Sequence, residues 1–294
     1  MLNSGAALSQ DLRVAGLNKP VSVTYDRSGV AHVRASDEHD LFLAAGYLTA
    51  RDRLWQMDRL RRIALGTWAE MAGEAALEDD YRSRMLGFDK QVRAAYATSP
   101  SAIRLACEAY AQGVNAYIGW LKDHPGSLPQ EYQRMGCSPK PWRPTDCLAF
   151  GRAMTFALSA DLEFELGLGR LALALGTEAL ADLLAGHPVD PVTITAEAAP
   201  AAAAPDAFAQ AAQEISAAFA SWKRNLGMEG FRPGSNNWVV SGSRTASGHP
   251  LLANDPHLGL ENPSIWYELH LTCPTMDVIG CTFPGAPVIL IGHN

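Results

Sequence analysis

The hydrophobic period of this chain changes for good at Pro233-Gly234-Ser235, and that change limits the folds open to it. Before it, apolar residues recur at helical spacing over long stretches. Leu41, Ala44, Ala45 and Leu48 share one helical face. The pattern runs on, or breaks and resumes, through Leu54, Met57, Leu60 and Ile63 until Gly66. After it come short runs rich in β-branched and aromatic residues: 237–241, 250–254, 266–272, 277–282 and 288–291. Residues 243–249 and Asn262-Pro263 supply turns between them. A helical first part followed by an antiparallel meander makes this an α+β chain.

Two short strands are also expected within 21–35, around the Asp26-Arg27-Ser28-Gly29 turn. Ser36 reads as the N-cap of the helix that follows, with Asp37 and Glu38 in its first turn. Arg51, Arg53, Arg59, Arg61 and Arg62 ring that helix and read as a solvated or salt-bridged face, with a basic face for an acidic partner as the other reading. Residues 99–123 and 144–184 are further helical stretches, separated by a loop holding Pro139, Pro141 and Pro144.

The composition shifts between 188 and 234. Residues 196–205 are low in complexity, and a helix then starts near Asp206 with Phe208, Ile215, Phe219 and Trp222 at helical spacing. Two readings fit. One is an interdomain linker with a docked helix. The other is a removable pro-segment whose apolar face fills a substrate cleft.

The formal charge is -7 over 294 residues, which argues against a nucleic-acid binder. No apolar run reaches the ~20 residues of a membrane span. No signal peptide is visible at residues 1–11. The five cysteines form no Cys-x-x-Cys pair and read as scattered buried thiols.

Gly234-Ser235 ahead of a strand is, on residue type, a turn. The same serine, if it became a new N-terminus, would carry its own base. An α-amine titrates at about 8, far below a lysine, and can activate a hydroxyl. Asp255 and His257 lie two apart on an extended segment, so Ser235, His257 and Asp255 also suggest a classical triad, with Pro256 an awkward spacer. A metal site from His249, Asp255 and His257 fits by residue type alone, without helical spacing to support it.

Several motifs in order resemble the penicillin acylase family of N-terminal nucleophile hydrolases. They are Ser235-Asn236-Asn237-Trp238-Val239-Val240, Thr245-Ala246-Ser247-Gly248 and Leu251-Leu252-Ala253-Asn254-Asp255-Pro256-His257. The runs Trp266 to Leu271, Gly285-Ala286-Pro287 and Ile291 to Asn294 resemble the strands that follow in the family. In the first part, Asp26 to Val33 resembles the opening strand, with Ala31 where the family usually has proline, and Gly46 to Asp58 resembles its most recognisable helix.

The resemblance implies an αββα sandwich, incomplete over these residues, and an autoprocessing amide hydrolase acting on N-acylated small molecules. β-Lactam side-chain amides and acyl-homoserine lactones are both open. It implies three segments: 1–187 as the first-chain region, 188–234 as a spacer, and 235–294 as the start of a second chain. The chain then reads as a precursor fragment, inactive by itself, whose two products pair as a heterodimer in the periplasm or outside the cell.

The same resemblance makes Ser235 the nucleophile, Gly234-Ser235 the self-cleavage bond and His257 its site partner. Met154, Phe156 and Leu158 fall where the family lines its acyl pocket, although helical spacing reads them equally as core. Leu258 and Trp266 join the substrate-binding residues. Glu165 is the implied calcium ligand, with Glu163 the competing choice and the remaining ligands not among these residues. No organic cofactor is implied. The alternative function is an unprocessed or non-catalytic relative that uses the fold for ligand binding.

Overall fold

A computed structural model describes residues 11–159, 161–185, 205–226 and 234–294. The chain divides into two compact units, 1–153 with 260–294, and 154–259. Of the low-complexity stretch at 196–205 all but Pro205, and Pro233 on the near side of the Gly234-Ser235 pair, lie outside the described residues.

The first unit starts with strands β1 (Ser22–Tyr25) and β2 (Ala31–Arg34). The turn between them is built by Asp26, whose Oδ1 accepts from the Ser28 and Val30 N–H groups at 2.8 and 3.0 Å. Helices α1 (Glu38–Leu65), α2 (Ala69–Ala72), α3 (Leu77–Leu86), α4 (Phe88–Thr98), α5 (Ser101–Asp123) and α6 (Gln130–Arg134) follow. Helix α7 (Asp146–Leu158) carries the chain into the second unit, which holds α8 (Asp161–Leu175), α9 (Thr177–Leu184), α10 (Pro205–Asn225) and strands β3 (Ser235–Val240) and β4 (Leu251–Pro256). The first unit resumes with β5 (Tyr267–Cys273), β6 (Met276–Thr282) and β7 (Ile291–His293).

Helix α1 is capped by Asp37, not by the expected Ser36. Asp37 is extended (φ -156°), and its Oδ1 accepts the Asp40 N–H at 2.9 Å, so Ser36 stands one residue too early to reach that donor. The helix stops at Gly66, which takes the left-handed φ of 67° that a side chain disfavours. It is kinked at Arg53 (φ -141°, ψ 18°). At the kink the Arg53 guanidinium leaves the helix to donate to the Ser264 carbonyl at 2.7 Å, joined there by Gln56 at 3.0 Å.

Helices α1 and α5 pack closely because each presents a glycine to the other's backbone. A Cβ on Gly113 would lie 1.9 Å from the Leu43 carbonyl oxygen, and one on Gly46 would lie 2.2 Å from that of Tyr110. Backbone cannot step aside as a side chain can. Gly113→Ala is therefore expected to cost roughly 3 kcal/mol. Gly119→Ala, on the same helix with open space around it, is expected to be neutral or stabilising by up to ~1 kcal/mol. Urea denaturation of the two variants tests this, and equal midpoints would contradict it.

The sheet of the first unit has the order β1-β2-β5-β6-β7. Neighbours are antiparallel except β2 and β5, which run parallel with Ala31 opposite Leu269 and His32 opposite His270. Alternation sends Ala31, Val33, Leu269 and Leu271 into a core with Leu41, Leu54 and Met57 of α1 and Tyr110, Val114 and Tyr117 of α5.

The expected single meander is not what forms. Strands β3 and β4 make a separate two-stranded sheet, and β5 continues from the N-terminal hairpin instead. Alternation within a strand reports burial but not partner, so a pairing between residues 31–34 and 269–272 could not be read from either run alone. Residues 260–294 belong with the first compact unit, while α10, β3 and β4 share the second.

The arginines of α1 divide by depth. Arg61 and Arg62 are buried and paired. Asp58 accepts from both, while its other oxygen takes the Tyr132 hydroxyl at 3.0 Å. Arg61 also reaches Asp146 at 2.8 Å and lies over the Trp142 ring. This corner is a salt-bridged interior, not a basic face for a partner.

Candidate functional site

Ser235 is the first residue of β3, and its side chain is exposed. Gly234 before it has φ 142°, a conformation that L side chains rarely adopt. β3 pairs antiparallel with β4, which puts Ser235 opposite Pro256 and Asn236 opposite Asp255. A serine and a histidine 22 residues apart are thereby brought together: the His257 N–H points at Ser235 Oγ at 3.4 Å, the long end of a hydrogen bond.

The His257 ring is held by its neighbours. Nε2 lies 2.9 Å from Asp255 Oδ2 and 3.3 Å from the Asn236 amide nitrogen. Pro256 is thus no obstacle to an Asp255–His257 contact, contrary to the expectation from its rigid ring. Nδ1 sits beside Gly234, 3.9 Å from where a Cβ would be. A triad needs one ring nitrogen on the carboxylate and the other on the serine hydroxyl. Here the serine receives the histidine's backbone N–H, and no ring-to-Ser235 hydrogen bond is formed among the described residues. The suggested metal trio of His249, Asp255 and His257 does not assemble: among the described residues, the group of three that gathers is Asp37, His39 and Asp40.

Asn236 and Asp255 are the site residues that sequence reasoning undervalued. Their meeting depends on the β3–β4 register, which residue types alone do not carry. Each faces the other across β3 and β4, so both reach the His257 ring at the strand end.

The proposed pocket residues separate. Met154 is buried, Phe156 is half-buried and Leu158 is 41 % exposed, so the three do not share one face of α7. The Phe156 ring meets Phe219 and Trp222 of α10, with centroids 5.7 and 5.9 Å away. Leu258 directly follows His257 and is half-buried, with its N–H bonded to the Pro256 carbonyl at 2.9 Å. Trp266 lies in the first unit, where it stacks on Phe283 at 4.7 Å and 22°. Its loop is anchored by the Arg53 and Gln56 bonds at the α1 kink, and Tyr267 beside it donates to Asp52 at 2.7 Å.

Glu165 is exposed on α8. Calcium takes six to eight oxygens, and the described residues bring no acidic cluster to Glu165. Glu163 is ion-paired with Lys223 of α10 and so is already matched to a cation. These residues alone do not fit a calcium ion.

An exposed serine at a strand start, a glycine at φ 142° before it and a histidine-bearing partner strand thus meet at one end of the β3–β4 pair. The chain belongs to the penicillin amidase family, whose model matches residues 20–294. It is 36 % identical over 291 residues to a penicillin acylase 2 proenzyme from Pseudomonas sp. (strain SE83), covering 95 % of this chain and 35 % of that protein. It is 31 % identical over 281 residues to the acyl-homoserine lactone acylase QuiP of Pseudomonas aeruginosa, covering 96 % and 33 %. The chain therefore spans about a third of the length of the curated relatives it matches. A thermostable penicillin G acylase from Alcaligenes faecalis superposes with TM-score 0.51 at 29 % identity, covering 62 % of this chain and 98 % of that one. The α+β fold is that of the N-terminal nucleophile hydrolases, mostly helical with largely antiparallel strands.

Proposed function

We propose that this chain contributes the nucleophile of an acylase that removes the acyl group from N-acylated small molecules, with Ser235 active once it is an N-terminus. The observation that carries this reading is the junction itself. Ser235 presents an exposed hydroxyl directly after Gly234 at φ 142°, beneath the His257 N–H.

While Gly234 and Ser235 are joined, the Ser235 nitrogen is an amide and not a base. Attack of Ser235 Oγ on the Gly234 carbonyl carbon, with nitrogen leaving, converts the amide to an ester. That shift frees the Ser235 α-amine, and water then cleaves the ester to release the Ser235 hydroxyl and the Gly234 carboxylate. Glycine suits this step because it has no side chain over its carbonyl and tolerates the backbone angle. In the processed enzyme the α-amine takes the hydroxyl proton as Ser235 attacks the substrate amide. The amine product leaves, and water releases the acid from the acyl-serine.

In this reading the His257 backbone N–H steadies charge on the serine oxygen, while Asp255 orients the ring by accepting from Nε2. Helix α10 belongs to the spacer in this reading. Phe219 and Trp222 cover Phe156, which supports a pro-segment shielding an acyl-pocket residue until it is released. The relatives' names include both a penicillin acylase and an acyl-homoserine lactone acylase, so β-lactam side-chain amides and acyl-homoserine lactones are the substrates to screen. A periplasmic or secreted location and pairing of the two products accompany this reading. The 294 residues alone, a third of the relatives' length, are expected to show no turnover.

Intact-mass spectrometry of the full-length protein tests the junction. One fragment is expected to begin at Ser235, with the Ser235→Ala protein uncut. A single uncut mass in both would shift the assignment to an unprocessed relative that binds ligands.

A further inference from the structure

The first unit holds a concave basic site that the acylase reading does not use. A cavity of about 740 Å³ opens between the C-terminal end of α1, helix α3, the start of α4 and the loop leading into α7. Seven cationic side chains line it, against three carboxylates. The chain as a whole runs the other way, at -7. Positive charge is therefore concentrated in one concavity of an acidic protein, where low-dielectric walls focus the field on an entering anion.

The carboxylates do not cancel the cations, because each is shared. Asp146 accepts from the buried Arg61 and from Arg143, both at 2.8 Å. Glu70 takes Arg62 at 2.9 Å and Lys140 as well. Asp89 pairs with Arg93 and lies 3.8 Å from the same Arg143. Counting Asp58 beneath Arg61 and Arg62 brings the carboxylates to four and leaves an excess of three positive charges. Asp80 does not line the cavity and gives its two oxygens to the Trp68 and Ala69 N–H groups at 2.7 and 2.9 Å. Two exposed cations are left over. Arg84 donates Nε to the Gly66 carbonyl at 2.6 Å, and its terminal nitrogens have no partner among the described residues. Lys90 has no carboxylate partner among them.

We propose that this cavity binds an anion carrying two linked phosphate groups, either a soluble diphosphate or a diphosphate headgroup. Charge selects it. Two linked phosphates carry roughly three negative charges at neutral pH, which matches the excess, whereas a lone carboxylate brings one. Chemistry agrees, since guanidinium forks suit phosphate oxygens and Arg84 offers unengaged N–H groups, with Lys90 adding a point charge. The volume exceeds a single tetrahedral anion and lies within the range of small-molecule sites. Arg61 and Arg62 stay matched to Asp58 as a salt-bridged floor, and the exposed cations do the binding. Ser235 belongs to the second unit, and the site uses no residue of the acylase chemistry.

Calorimetric titration of the full-length protein with pyrophosphate tests the site, beside sulfate and beside phosphatidylcholine vesicles doped with a prenyl diphosphate. One equivalent of pyrophosphate is expected to bind, at least roughly tenfold tighter than sulfate, and to weaken as salt is added. Lys90→Gln and Arg84→Gln should each weaken it roughly tenfold, since each removes a charged donor. Lys122→Gln, an exposed cation of α5 outside the cavity, should leave it unchanged. Vesicle binding that the two cavity variants lose would identify a lipid headgroup as the source, and pyrophosphate binding without vesicle binding a soluble ligand. Circular dichroism confirms folding, and the exposed Lys90 decides if Arg84→Gln does not fold. No pyrophosphate binding, sulfate binding as tight, undiminished affinity in the folded cavity variants, or an equal loss in Lys122→Gln would overturn the site.

Discussion

Ser235→Ala in the full-length protein is expected to abolish amide hydrolysis, a loss of roughly 10⁵–10⁶-fold in kcat, along with chain cleavage. Loss of activity alone would not separate an N-terminal nucleophile from a triad, since both need the hydroxyl. Two further measurements do. Acylating the freed Ser235 amine should inactivate the processed enzyme, because an amide nitrogen cannot take the hydroxyl proton. Asp255→Asn should cost less than about tenfold if Asp255 only steadies the His257 ring, against the ~10⁴-fold seen when a triad aspartate is lost. An enzyme insensitive to amine capping yet crippled by Asp255→Asn would reverse the assignment. The geometry favours the N-terminal nucleophile, since Ser235 Oγ meets the backbone of His257 and not its ring.

Asp58→Ala is the substitution with the largest expected effect on stability, about 3–5 kcal/mol. Asp58 is 1 % exposed and is the acceptor for Arg61, Arg62 and Tyr132 together. Removing it leaves two guanidinium groups in the interior facing each other, with Asp146 and the half-exposed Glu70 as their remaining carboxylates. Tyr132→Phe removes one hydrogen bond from the same carboxylate and should cost only about 1 kcal/mol. Burial and the adjacent Asp58 both push the Tyr132 hydroxyl far above its ordinary range, so it remains a donor throughout the accessible pH range. Thermal and urea unfolding of the two variants checks the ranking. An Asp58→Ala protein within 1 kcal/mol of the parent would show that the cluster is not an integrated unit.

Local signals carried much of the fold. The β1–β2 hairpin follows from an Asx turn at Asp26, and α1 ends where Gly66 can turn left-handed. Of the two readings of this stretch, running on or breaking and resuming, the structure has a single helix kinked at Arg53, where a side chain is drawn out to the Ser264 carbonyl. The helix over 205–225 was legible from Phe219 and Trp222 at helical spacing, although its contact with Phe156 was not. The cap moved by one residue because Ser36 and Asp37 are both good capping types. Asp37 is the one whose side chain reaches the Asp40 N–H.

The sequence alone determined the family, the helix-rich first part, the strand-rich remainder and the position of Ser235, because each rests on residue type and short-range order. Only the tertiary structure decided what non-local pairing controls. It set β5 beside β2 and so placed His32 against His270, and it put β3 against β4 so that Asn236 and Asp255 reach His257. It also turned two arginines of an apparently charged helix inward onto Asp58. Strand partners and buried charge pairs are chosen by burial and register across long stretches of chain, and no window of sequence contains both members of such a pair.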